Sequence, residues 1–198
     1  MFQLFKLLSK IRRKRIFHPV GNLYQGSVRF EPAFARKVPD FKPDLPYDAL
    51  VRVSRGIGLP PGLPDLPGLA IKIETPELTQ DILLIKSGKG RLGKYLFLPS
   101  TQVLSGYYSS GLRYDMDGSK ILLGAKASPH SVELLKASPF GSWKRIGVLT
   151  LGPLRPVEQS EHIKFNPWHT SVHLRPHGLL NKLRKKAYIG SQAGRPSK

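Results

Sequence analysis

Short runs of β-branched, aliphatic and aromatic residues, each cut off by Gly, Pro or Asp, recur along this chain and restrict it to folds assembled from many short strands. The runs are Leu23 to Phe30, Leu50 to Arg55, Leu69 to Glu74, Asp81 to Lys86, Tyr95 to Leu98, Ile121 to Ala125, Arg145 to Leu151 and His162 to Phe165. With 18 Pro and 19 Gly in 198 residues, long interior helices are disfavoured, because Pro removes a backbone donor and Gly costs helix entropy. A sandwich or a closed barrel follows. Asp115-Met116-Asp117-Gly118 reads as a hairpin turn. Pro32 to Pro46 and Pro60 to Pro67 read as ordered loops, since strand signals resume directly after each. One interior-type helix is expected, over Leu179 to Ala187, opened after Pro176 and closed before Gly190.

A chain of this length forms one domain able to bury a core and a cofactor. It holds no cysteine, which excludes disulfides, thiolate nucleophiles and thiolate-ligated haem or zinc. The net charge of +19 is unevenly placed. Residues 1–15 carry Lys6, Lys10, Arg12, Arg13, Lys14 and Arg15 without an acid, and no acid follows Glu161. Such surfaces attract nucleic acid, anionic lipid or a cofactor's carboxylates. Phe2, Leu4, Phe5, Leu7, Leu8 and Ile11 interleave with Lys6 and Lys10 as a short amphipathic helix. Its charges follow the apolar run, unlike those of a signal peptide. A peripheral membrane contact through residues 1–15 is one expectation, and an arm packed on the barrel is the other.

The C-terminal segment places Arg184 four residues before Tyr188, which on a helix puts guanidinium and phenol on one face. A phenol has a pKa of about 10, so ionising it near neutrality requires offsetting roughly 4 kcal/mol. A close cation supplies part of that and a ferric iron can supply the rest. Tyrosine is among the few axial ligands of haem. Ser191, Gln192 and Arg195 follow.

Taken with three further segments, this pattern resembles the haem-dependent catalase superfamily. The proximal Arg-x-x-x-Tyr of that family, with its later Ser or Thr and Arg, is matched by Arg184, Tyr188, Ser191 and Arg195. The distal Arg-x-x-His-x-x-Gly with a second Gly is matched by Arg15, His18, Gly21 and Gly26. Val51-Arg52-Val53-Ser54 matches the Val-Arg-x-Ser strand, and Asp65, Gly68, Ala70 and Lys72 match the Asp-x-x-Gly-x-Ala-x-Lys strand. The four segments occur in family order. The chain is similar to the minimal haem-barrel branch, having no room for the long wrapping or helical domains of a full catalase.

The resemblance implies a mainly β protein with a few helices, a closed antiparallel catalase-like barrel and a C-terminal haem-ligand helix. Residues 1–14 would be a basic amphipathic arm and 15–198 a single haem-binding domain, with the barrel over about 15–175 and the helix and tail over about 176–198. The cofactor implied is ferric haem b, ligated by Tyr188. His18 and Ser54 would be catalytic, the imidazole acting as general base and then general acid and the hydroxyl fixing its tautomer. Arg15, Arg52 and Arg195 would pair with the propionates, Arg184 would hold the phenolate anionic, and Ser191 would be a further cofactor-binding residue. Peroxide reduction through an oxyferryl species is the activity implied. Asp81 to Lys86 offers no counterpart of the family's distal Asn, so a peroxidase is favoured over a catalase, with an unidentified organic reductant. A cytoplasmic, membrane-peripheral location fits, and a homo-oligomer is compatible.

Gly88-Lys89-Gly90-Arg91-Leu92-Gly93-Lys94 satisfies Gly-x-Gly-x-x-Gly, but a strand rather than a helix is expected to follow, so a flexible basic hairpin is the favoured reading. His169, His173 and His177 recur at helical spacing, yet Thr170, Val172 and Pro176 oppose a helix there. Two rival functions stand beside the haem enzyme. A cofactor-free nucleic-acid-binding barrel would explain the charge, but no basic-aromatic stripe runs along a strand. A lipid hydroperoxide isomerase or haem carrier would keep the fold and change the chemistry.

Overall fold

The computed structural model describes residues 20–60, 62–156 and 163–178. Ten strands lie in this part: β1 (Val20–Phe30), β2 (Pro46–Arg55), β3 (Pro67–Glu74), β4 (Thr79–Lys86), β5 (Gly106–Ser109), β6 (Tyr114–Met116), β7 (Ser119–Ala127), β8 (Ser131–Ala137), β9 (Lys144–Arg155) and β10 (Leu174–Pro176). Eight of them close into an antiparallel barrel in the order β1-β2-β3-β4-β5-β7-β8-β9, with β9 returning to β1. β6 and β10 extend β7 outside the ring. Closure removes the open sheet edges that would otherwise template association.

The core follows from two-residue alternation. Ala49, Val51 and Val53 on β2, Leu69, Ile71 and Ile73 on β3, and Ile82 and Leu84 on β4 all point into one apolar cluster. Val132 and Leu134 on β8 and Leu149 on β9 meet them from the opposite wall. The connection from β1 to β2 contributes too. Its short helix Pro32–Ala35 delivers Phe34, and Val38 and Phe41 follow into the core. Phe30 lies 4.9 Å from Phe34 and 4.6 Å from Phe41, ring centre to ring centre. Gly26 sits where the pairing of β1 with β9 shifts register, and a Cβ there would come within 3.1 Å of Val51 and Leu149. A side chain at that point would thus crowd the core.

Asp117-Gly118 is the expected tight turn between β6 and β7, both residues having positive φ (48° and 77°), the pattern of a type I′ hairpin. Two expected strands are corrected. Tyr95 to Leu98 is a loop in which only Phe97 bridges, to Ser87. Tyr95 and Leu96 donate to Leu92 and Gly93 within the turn, and the bonds from Gly88 to Leu96 and from Leu98 to Lys86 make only that isolated bridge. Of His162 to Phe165, residues 163–165 are irregular, with His162 outside the described residues. The Gly-rich segment also differs from expectation: a single helical turn, Gly90–Gly93, follows β4, and the segment is a compact anchored turn. β5, β6, β8 and β10 were not anticipated from the runs. The expected helix Leu179 to Ala187 and the N-terminal arm lie outside the described residues. Among the described residues no helix is long and apolar enough to cross a membrane.

Candidate functional site

Arg15, His18, Arg184, Tyr188, Ser191 and Arg195 lie outside the described residues; Arg52 and Ser54 lie within them, on β2. Since Val51 and Val53 point into the barrel, Arg52 and Ser54 point to its outer wall. Both are nevertheless buried, each 5% exposed. Across the ladder Arg52 stands opposite Leu23 of β1 and Ala70 of β3, and Ser54 opposite Gly21 and Gly68. The Ser54 hydroxyl donates to the Gly68 carbonyl at 3.4 Å.

Gly21 is required by this packing. A Cβ on it would fall 2.7 Å from the Ser54 Cβ and 3.0 Å from Cζ of Arg52, so the guanidinium lies against a position that tolerates no side chain. The row Gly21, Ser54, Gly68 and the neighbouring Ala70 keep this stretch of wall low. A buried guanidinium on the outside of a filled barrel is costly unless it meets hydrogen-bonding or anionic groups. Its fork of donors matches carboxylates. In kind, these two residues fit a cofactor that carries propionates.

Lys72 of β3 and Asp81 of β4 continue the same face. They are directly paired in the ladder and only 7% and 0% exposed, and Lys72 Nζ lies 3.3 Å from each carboxylate oxygen. Residues 163–169 run across them. The Lys72 ammonium lies 5.8 Å from the centre of the Phe165 ring, the Asn166 N–H donates to the Asp81 carboxylate at 2.6 Å, and the Asp81 N–H donates to the His169 carbonyl at 2.8 Å. Burial pushes the Asp81 carboxyl above its ordinary value, and the Asn166 N–H and the Lys72 charge pull it only part of the way back. His169 is half exposed, with Nδ1 3.7 Å from Asp81. The wall thus combines a buried guanidinium, a hydroxyl and a buried ion pair.

The sequence pattern assigns Lys72 to a strand motif without a role, and Asp81 to the start of a strand run that lacks the family's distal Asn. The available signal was a charged residue inside or at the mouth of an apolar strand run, Lys72 between Ile71 and Ile73 and Asp81 before Ile82. His169, His173 and His177 do not share a face of one helix. The chain turns at 167–168 and again at 172–173, and the His177 N–H donates to the Arg113 carbonyl at 2.8 Å. Among the described residues no group of three or more His, Cys, Asp or Glu is placed to hold a metal ion. No family model matches this chain, and no characterised protein matches it at a significant level.

Proposed function

We propose that the chain is a catalase-related haem protein that reduces hydrogen peroxide or an organic hydroperoxide. The observation that carries this reading is the buried pair Arg52 and Ser54 on the outer wall of a closed eight-stranded barrel, against Gly21 of the preceding strand. The planar fork of donors on a buried guanidinium suits the binding of a carboxylate-bearing group. When bound, ferric haem supplies the redox chemistry of O–O cleavage.

The residues of the chain do the rest. Arg52, with Arg15 and Arg195, binds propionates. Tyr188 serves as the iron ligand, and Arg184 favours its ionised form. Ser191 supports that segment. His18 accepts a proton from the peroxide and returns it to the departing oxygen, and Ser54 holds the imidazole in one tautomer. With no Asn within Asp81 to Lys86 to position peroxide, an organic donor is the reductant favoured.

The test is spectroscopic. The purified full chain, supplied with hemin, should show a ferric haem Soret band. Tyr188→Phe should alter that spectrum, and Arg52→Ala should lower haem affinity by at least about tenfold, a value in keeping with the loss of one charged hydrogen-bonding partner. A full chain that stays colourless and leaves the hemin spectrum unchanged would overturn the proposal.

A further inference from the structure

The two most exposed large apolar side chains of the described residues are Phe140 (79%) and Leu92 (74%). They lie on different connections, β8 to β9 and β4 to β5, yet the structure ties those connections together. Lys94 is fully buried, and its Nζ donates to the carbonyls of Ser138 and Gly141, 2.7 Å from each. The neighbouring Tyr95 hydroxyl donates to the Pro139 carbonyl at 2.8 Å. Phe140 is therefore held beside the Gly88 to Leu98 turn.

That turn is itself held by backbone hydrogen bonds. The Gly88 N–H donates to Leu96, Leu98 to Lys86, and Gly88 and Gly93 approach so closely that a Cβ on Gly93 would lie 2.8 Å from Gly88. Leu96, Phe97 and Leu98 are 60%, 43% and 43% exposed on the same turn. The backbone bridge from Ser100 to Asp65 brings the β2 to β3 connection alongside, where Ile57 and Leu63 are half exposed. Soluble proteins rarely leave so many large apolar groups together in water without a use for them.

Charge separates the candidate uses. From Ile82 to Tyr114 there is no acidic residue, and Lys86, Lys89, Arg91, Lys94 and Arg113 all lie in that span. Lys89 and Arg91, beside Leu92, are exposed. The exposed apolar side chains sit on short connections between strands, so they suit insertion into a soft medium. A medium that is apolar below and anionic at its surface matches both properties.

We propose that the Gly88 to Leu98 turn and Phe140 form a membrane-contacting tip. It inserts Leu92, Leu96 and Phe140 into the headgroup and acyl boundary of an anionic phospholipid bilayer, while Lys89 and Arg91 pair with lipid phosphates. This is distinct from any contact made by residues 1–15, and it does not depend on the haem assignment.

Because the chain has no cysteine, a single Leu92→Cys can carry an environment-sensitive fluorophore in the full-length protein, with Thr150→Cys on β9 as the reference position. Vesicles of phosphatidylcholine alone, and of phosphatidylcholine with phosphatidylserine, are the probes. The label at 92 should shift to the blue with anionic vesicles and not with neutral ones, and the label at 150 should not respond. Leu92→Asp with Phe140→Asp, at side chains already exposed, should leave the circular dichroism unchanged and weaken vesicle co-sedimentation by at least about tenfold. Four outcomes would overturn the proposal. The label at 92 could stay in water, both labels could shift alike, the double variant could bind vesicles as the parent does, or RNA and not lipid could move the label.

Discussion

Asp65 takes backbone N–H bonds from Ile57 and Leu66 on one carboxylate oxygen and from Gly58 and Leu59 on the other, at 2.6 to 3.0 Å. Arg55 Nε stands 3.6 Å away. Burial by itself would push this carboxyl up, but the four donors outweigh it and hold the pKa below the ordinary 3.8. The sign for stability follows. A depressed pKa stabilises the fold above the unfolded value near 3.8, and that contribution disappears as pH falls through the lower folded value. Asp65→Asn should remove it, because the amide nitrogen would face two N–H donors. We expect a loss of about 2 kcal/mol at neutral pH, read by urea unfolding. Between pH 7 and pH 3 the variant should also lose less stability than the parent; equal losses would show that Asp65 is not a source of the acid sensitivity. The sequence marked Asp65 as one position of a strand motif. Its role as the hub of a loop was hidden, because the donors come from a backbone path that local residues do not dictate.

Among elements, β7 shows how periodicity succeeds and where it stops. Its apolar run marks Ile121 to Ala125 as strand, and a Gly inside a strand suggests a close approach by something else. The approaching group is Trp143, from the connection before β9. A Cβ on Gly124 would lie 2.5 Å from its ring and 2.8 Å from the Tyr108 carbonyl. Gly124→Ala should therefore displace the indole, red-shift and quench part of the tryptophan emission, and cost about 2 kcal/mol. Unchanged emission and stability would mean that the ring does not rest on β7. β8 has no continuous apolar run, because Glu133 and Lys136 interrupt it, although the alternation of Val132 and Leu134 is that of a half-buried strand. β5 was too short to register. Tyr95 to Leu98 misled in the opposite sense: a run rich in aromatic and aliphatic residues looks like a core strand, yet here the turn tethered by Lys94 keeps it on the surface.

For the whole molecule, the decisive event is the return of β9 to β1, which closes the ring and puts Leu149 and Gly147 against Val28 and Phe30. Ending the chain at Ser142 would remove β9 and leave both β1 and β8 with an unpaired edge. Such a fragment should show no cooperative urea transition and should elute as aggregate; a cooperative monomer would mean that closure is dispensable. The sequence by itself determined that the chain is built of short strands, where most of them run, and the Asp117-Gly118 turn, because these depend on local residue pattern and φ preferences. It also placed Arg52 and Ser54 on one strand face. Only the tertiary structure decided that this face is buried, that Lys72 and Asp81 share it, and that the two connections carrying the exposed Leu92 and Phe140 are tied together. The reason is physical: alternation tells which side of a strand a residue takes, while what lies against that side is set by segments distant in the chain.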